Sequence, residues 1–321
     1  MNYCKGDLDE MKKIIIDCDP GHDDALAILT ALANPEKLEI LGITTVGGNQ
    51  TLKKVTQNAQ NILGYVHANV PLASGQEGPL VKKLNPSDEA HGKSGMDGPY
   101  FVDQPNYPLH SQNAITFMHD LLEASEQKVT LVGLGPLTNI ALLLKTYPQL
   151  HEKIAEICLM GGGITHGNMT AMAEFNIYVD PEAAHIVFNS GLPIVMAGLD
   201  VTEQAEILVA EIQSLKNGGR VSKLAYELLN FYNQSGRQFG FVNSPIHDLC
   251  AIEYLLDPTI FEGTHYYVNV ETNDGVMRGV TFADKRLVTP YKKNTLVLEK
   301  INRQQFVAYL VQALKRLDED E

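Results

Sequence analysis

Residues 12–34 read KKIIIDCDPGHDDALAILTALAN, and this stretch decides the fold. Lys12 to Cys18 is a short β-branched run of the buried-strand type, and Asp23 to Asn34 carries apolar residues at helical spacing. The order is strand, acidic loop, helix. Outward from there the same unit recurs. Leu38 to Val46 reads as a strand ending in Gly47-Gly48 and Leu52 to Leu63 as a helix; Val129 to Leu134 is a strand and Leu137 to Lys145 a helix; Ile154 to Met160 is a strand and Pro181 to Asn189 a helix. A fifth strand is read at Pro193 to Ala197. Strands alternating with helices of about ten residues predict an α/β fold, a mostly parallel (mixed) central sheet flanked by helices.

The remaining segments fit one domain. Leu208 to Gln238 is helical in pattern, Tyr266 to Leu298 carries three strand-like runs, and Asn302 to Leu317 reads as a terminal helix. Gly75 to His110 lacks sustained periodicity and is rich in Gly, Pro, Ser, Asp and Asn, which suits a lid or binding segment. The expected organisation is a single domain over residues 12–321 after a short N-terminal extension, residues 1–11.

Composition excludes several function classes. The chain has 321 residues, 44% hydrophobic and 20% charged, with a formal net charge of −14, which gives no electrostatic footprint for nucleic acid or an anionic membrane. The most apolar stretch, Val129 to Leu144, is broken by Gly133, Gly135 and Pro136 and is too short to span a bilayer. Cys4, Cys18, Cys158 and Cys250 lie far apart without metal-ligand spacing, and the first residues lack a basic start and an apolar run. Reduced thiols in a cytoplasmic protein are expected.

Ligands bind beyond the carboxyl ends of strands in such sheets. Asp17-Cys18-Asp19-Pro20-Gly21-His22-Asp23-Asp24 puts four carboxylates at one strand end and on the first turn of a helix. Capping explains one of them. Carboxylates crowded into a partly buried site repel one another unless a cation neutralises them, and an all-oxygen donor set favours a hard cation, calcium or magnesium. Gly47-Gly48-Asn49, Leu134 within Gly133 to Asn139, Met160-Gly161-Gly162-Gly163, Asn168, Glu174-Phe175-Asn176 and His247-Asp248 follow later strands or open later helices, and His91 lies in the long loop segment. Taken singly, each has a bland reading as a turn, a cap or a surface histidine.

Together these motifs resemble the nucleoside hydrolase family of the inosine-uridine preferring type, from Lys12 over nearly the whole chain. Asp17 to Ala25 looks like the family's N-terminal signature; Val46 to Asn49, His91 to Gly95, Gly135 to Asn139, Met160 to Gly163, Glu174 to Asn176 and His247-Asp248 match in order. The resemblance implies a Rossmann-like nucleoside hydrolase fold and one calcium ion per subunit, held by Asp19, Asp24, Asp248 and the main-chain carbonyl of Leu134. It implies ribose contacts from Asp23, Asn168, Glu174 and Asn176, with His91, His247 and Asp248 completing the substrate set, and Asn49 placing the nucleophilic water. A homotetramer or homodimer and a part in nucleoside salvage are implied too.

The expected chemistry is hydrolysis of purine or pyrimidine ribonucleosides, inosine and uridine foremost, to ribose and free base, with Asp19 as general base and His247 as general acid. Phe231, Ser235 and Phe239 stand where pyrimidine-preferring members place polar base contacts, which fits a stacking pocket of broader tolerance. The chain has no tryptophan, unlike the family's purine-specific type. Two other readings compete. A phosphatase of the haloacid dehalogenase type would use Asp17 as its nucleophile, and a non-catalytic calcium-dependent nucleoside binder would use the same fold.

Overall fold

The sheet follows from the strands just read, with two edges added. In the computed structural model, which describes residues 11–99, 101 and 107–319, the strands are β1 (Lys12–Cys18), β2 (Leu38–Thr45), β3 (Leu72–Ser74), β4 (Val129–Gly133), β5 (Ile154–Met160), β6 (Ile194–Ala197), β7 (Glu206–Ile207), β8 (Ser244–Pro245), β9 (Phe261–Val270), β10 (Thr281–Asp284) and β11 (Thr295–Ile301). Nine of them form one sheet in the order β10-β9-β11-β6-β5-β4-β1-β2-β3. From β3 to β11 neighbours run parallel; β9 and β10 close that edge antiparallel. β7 and β8 pair separately. The chain forms a single α/β domain with helices on both faces of a mixed, mostly parallel sheet.

β1 lies inside the sheet, between β4 and β2, and its residues are buried from both sides. Ile14, Ile16 and Cys18 pack into one hydrophobic core and Ile15 into the other, as strand alternation requires. The helix His22–Leu32 is buried over nearly its whole surface, so its apolar residues need no single stripe.

Strand order reverses at β1. β2 and β3 lie on one side of it, and the chain then crosses to β4 on the other. Register holds the ends level: Asp17 pairs with both Thr44 and Gly133, and Cys18 with Thr45. The residues that follow β1, β2 and β4 therefore emerge side by side at a topological switch point, where open α/β sheets form their ligand crevice.

Differences from the sequence reading have local causes. The helical span expected over Leu208 to Gln238 is two helices, Val209–Leu215 and Arg220–Gly236. Gly218-Gly219 breaks it, and the Asp318 carboxylate, from the terminal helix Arg303–Glu319, accepts the main-chain N–H groups of Gly219, Val221 and Ser222. The helix Ala114–Ala124, not anticipated, starts at Asn113, whose side chain accepts from Ile115 and Thr116 N–H. Within the expected loop Gly75 to His110, a short helix Asp88–His91 forms, and His110 N–H returns to the Leu72 carbonyl at 2.7 Å. Residues 100 and 102–106 of that loop, like residues 1–10 of the expected extension, lie outside the described residues. Cys18, Cys158 and Cys250 are buried and unpaired, and no described helix is long and apolar enough to cross a membrane.

Candidate active site

Four acidic side chains meet at the switch point. Asp19, Asp23, Asp24 and Asp248 are all buried, and one carboxylate oxygen from each of Asp23, Asp24 and Asp248 lies within 4.8 Å of the others. Asp24 faces the strand end, where its carboxylate accepts Gly21 N–H at 2.9 Å and Asp19 N–H at 3.3 Å. Asp248 begins the helix Leu249–Leu256 without spending its carboxylate on the cap, and leans on Asp24 instead. The capping reading thus holds for Asp24 and fails for Asp248.

Asp19 is enclosed by backbone. Its Oδ2 accepts Asn49 N–H at 2.6 Å, while Asn49 Nδ2 donates to the Asp19 carbonyl at 3.2 Å. Glycine is required at both walls: a Cβ on Gly48 would fall inside contact with Asp19 Oδ2, and one on Gly135 would lie 2.6 Å from Oδ1. That Oδ1 is buried without a hydrogen-bond partner among the described residues. Burial first, and then the Asp24 charge, push Asp19 well above the usual carboxylate range; burial with Asp23 and Asp24 does the same to Asp248. Crowded carboxylates and an orphaned oxygen are what a hard divalent cation would satisfy, so the donor set fits one. The sequence reading grouped Asp19, Asp24 and Asp248; the structure brings Asp23 into that group and sets Asp19 beside it.

Asp17, two residues earlier, faces elsewhere. Its Oδ1 accepts from Thr44 Oγ1 at 2.6 Å and Asn139 Nδ2 at 2.8 Å, and burial raises its pKa to about 7. It ties β1 to β2 and to the helix Thr138–Thr146.

Asn176 links the acidic group to the Glu174 segment. Its Nδ2 donates to the Leu134 carbonyl at 2.8 Å and to that of Met160 at 3.2 Å, and a carbonyl so engaged keeps a second lone pair for a ligand. Glu174 caps the helix Phe175–Val179, accepting N–H groups of Asn176, Ile177 and Gly162, with burial raising its pKa to about 7. Asn168 is exposed, its Oδ1 held by Phe175 N–H at 2.9 Å. The glycine triplet is no phosphate cradle, since Gly162 and Gly163 give their amides to Glu174 and Thr281.

Histidines form the other wall. Thr202 Oγ1 meets His247 Nδ1 at 2.7 Å; burial lowers the His247 pKa against the upward pull of Asp23 and Glu203. His91 is buried, close enough to His247 to feel its charge, and burial lowers its pKa to about 4. His22 lies against it, with burial and His91 lowering the His22 pKa to about 3. Sequence reasoning passed over His22, Thr202 and Tyr232. The signal available was the histidine inside the first acidic motif; Thr202 and Tyr232 carried none. Phe231 stacks on His22, Ser235 Oγ donates to the Ala90 carbonyl and Phe239 is 52% exposed, so these residues are occupied with the loop or with solvent.

Known proteins carry the same pattern. The sequence profile described as "Inosine-uridine preferring nucleoside hydrolase" matches residues 14–308. A Salmonella typhi protein named pyrimidine-specific ribonucleoside hydrolase RihA is 46% identical over 306 residues, 94% of this chain and 98% of that one. Among solved structures, a purine-preferring ribonucleoside hydrolase from Gardnerella vaginalis superimposes with a TM-score of 0.89 at 30% identity, covering 97% of this chain and 100% of the other. An inosine-guanosine nucleoside hydrolase gives 0.84 at 27%, covering 97% and 99%.

Proposed function

Since this chain belongs to the inosine-uridine preferring nucleoside hydrolase family and is a ribonucleoside hydrolase acting on N-glycosyl bonds, we propose that the acidic group holds one calcium ion and that the chain's own residues divide the reaction between base, acid and sugar contacts. The observation that carries this is the buried meeting of Asp23, Asp24 and Asp248 beside the orphaned Asp19 Oδ1. Asp19, Asp24, Asp248 and the Leu134 carbonyl would hold the ion, with Asp23 adjoining. Bound there, it supplies neutralising charge and Lewis acidity.

Asp19 is the general base. Asn49 fixes one of its oxygens, leaving Oδ1 to take a proton from the attacking water. As the C1′–N bond breaks and the water oxygen bonds to C1′, positive charge spreads over the ribose ring, and the acidic walls of the site stabilise it. Asp23, Asn168, Glu174 and Asn176 orient the sugar hydroxyls, and Asn49 sets the water's approach. His247, anchored through Nδ1 to Thr202, presents its other ring nitrogen to the departing base and gives it a proton. His91 contacts the substrate on the same side.

The substrate class is purine and pyrimidine ribonucleosides, inosine and uridine foremost; the name of the 46% identical relative adds weight to uridine. The test is free-ribose release from a panel of purine and pyrimidine ribonucleosides, with and without chelator. Asp19→Ala should abolish turnover on every member, and retained activity would refute the assignment of base and ligand. A phosphatase reading is disfavoured by Asp17, whose Oδ1 is committed to Thr44 and Asn139; turnover that follows Asp17→Asn and phosphate release from a phosphomonoester would revive it. Calorimetric nucleoside binding without ribose release would favour a non-catalytic binder. We also assign the protein to the cytoplasm, in nucleoside salvage, as a homotetramer or homodimer. Light scattering would test the oligomeric state.

A further inference from the structure

We infer that His22, inside the first acidic loop, is a positioning residue that fixes both the ring and the protonated nitrogen of His91. The inference rests on the reading above, in which His91 contacts the substrate. His22 is fully buried. Its Nε2 lies 2.7 Å from the Asp97 carbonyl oxygen, which can only accept, so Nε2 carries the proton. The neutral ring then offers a lone pair at Nδ1. Facing it at 3.1 Å stands His91 Nδ1, which must donate. The His22 main-chain amide reaches the same atom only at 3.4 Å, the outer limit of a hydrogen bond. With its proton on Nδ1, neutral His91 keeps a bare lone pair on Nε2, and that atom has no hydrogen-bond partner among the described residues. His91 is thereby an acceptor, and the group it takes from a substrate is an N–H or O–H donor.

The surroundings leave the His91 ring little freedom. A Cβ on Gly21 would meet His91 Nδ1 at 2.5 Å, so the ring lies directly against bare backbone of the acidic loop. His22 stacks on it at 5.3 Å between centroids and Tyr232 at 5.4 Å, while His22 itself stacks on Phe231 and Tyr232. From the helix Arg220–Gly236, Ser235 Oγ donates to the Ala90 carbonyl at 2.8 Å, and beyond its end Gln238 Nε2 donates to that of Glu89 at 2.6 Å. Asp97 closes its own loop by accepting Lys93 and Ser94 N–H at 3.0 Å, which aims its carbonyl at His22. The turn that delivers Asp23 and Asp24 thus also orients a residue of the loop segment 88–97. It is a relay of two hydrogen bonds through one ring.

The experiment uses the full-length protein loaded with calcium. His22→Phe keeps the stacking and removes both hydrogen bonds, while His22→Asn keeps an oxygen near the Nδ1 position that accepts from His91 without reaching Asp97. ¹⁵N NMR of the ring nitrogens should find His91 protonated on Nδ1 in the parent and in His22→Asn, and no longer so in His22→Phe. Ribose release should fall about 10-fold to 100-fold in kcat/KM for His22→Phe, the loss typical of a misplaced contact, and recover at least partly in His22→Asn. The melting temperature and calcium affinity should stay near parental values in both. Adding His22→Phe to His91→Ala should cost nothing further. An Nδ1 proton that persists in His22→Phe, or losses that multiply in the double variant, would overturn the inference. If His91→Ala leaves turnover intact while the tautomer still follows residue 22, the substrate contact of His91 fails and the positioning role stands.

Discussion

Among the described residues, two places bury carboxylate oxygens that no protein group satisfies: Asp19 just past the end of β1, and Glu253 in the middle of the helix Leu249–Leu256. They lie on the same side of the sequence's acid balance and mean different things. Asp19 has Asp23 and Asp24, from the first turn of one helix, and Asp248, from the start of another, around it, so one shared cation would relieve the repulsion among them. Glu253 is 0% exposed; burial, and then the charge of Asp257, push it well above the usual carboxylate range, which favours its neutral form. A buried acid is a binding group when its neighbours share its problem, and a stability cost when they do not.

The comparison can be broken by experiment. Asp248→Asn removes one charge from the shared group with little change of shape, and should cost on the order of 10⁴-fold in kcat/KM, about 5.5 kcal/mol, measured by ribose release. A loss below tenfold would show that Asp248 is no part of the shared acidic group's function. Next in size, His247→Ala should lower kcat by about 10²-fold or more while calcium binding, followed calorimetrically, is unchanged; equal turnover would remove it as the acid. Chelation should lower the melting temperature, and calcium at about 100 times its Kd should restore about 2.7 kcal/mol of stability. A melting curve indifferent to chelator would dissolve the distinction between the two regions.

The smallest effect belongs to Glu253. Its folded pKa is raised, so the unfolded chain ionises first as pH rises through about 4.3, and stability falls with increasing pH until the folded pKa is reached. Glu253→Met removes the unpaired oxygens and should raise the melting temperature at pH 8 by about 2–4 °C, with the gain shrinking toward pH 4 and turnover unaffected. A variant that melts lower at pH 8 would mean that Glu253 has a partner that the fold hides.

Much of this architecture was legible one segment at a time. β1 and β5 span the same residues that the sequence pattern marks as strands, because strands buried on both faces announce themselves by β-branched and apolar composition. Elements set by distant partners were not legible. The helix break at Gly218-Gly219 depends on Asp318, about a hundred residues later. The site divides the same way. Asp19, Asp24, Asp248, Asn49 and Asn176 stood out because they follow strands or open helices. Thr202 behind His247 did not, since a lone threonine before a loop carries no pattern.

By itself the sequence determined that strands would alternate with helices and that acids would collect at strand ends. Local spacing suffices for both. Only the tertiary structure decided which acids share a space, which way Asp17 and Asp19 face, and that His22 bridges to His91. The physical reason is range: side-chain periodicity is set by neighbours a few residues away, whereas hydrogen bonds and charge repulsion act over a few ångströms between residues the chain order keeps far apart.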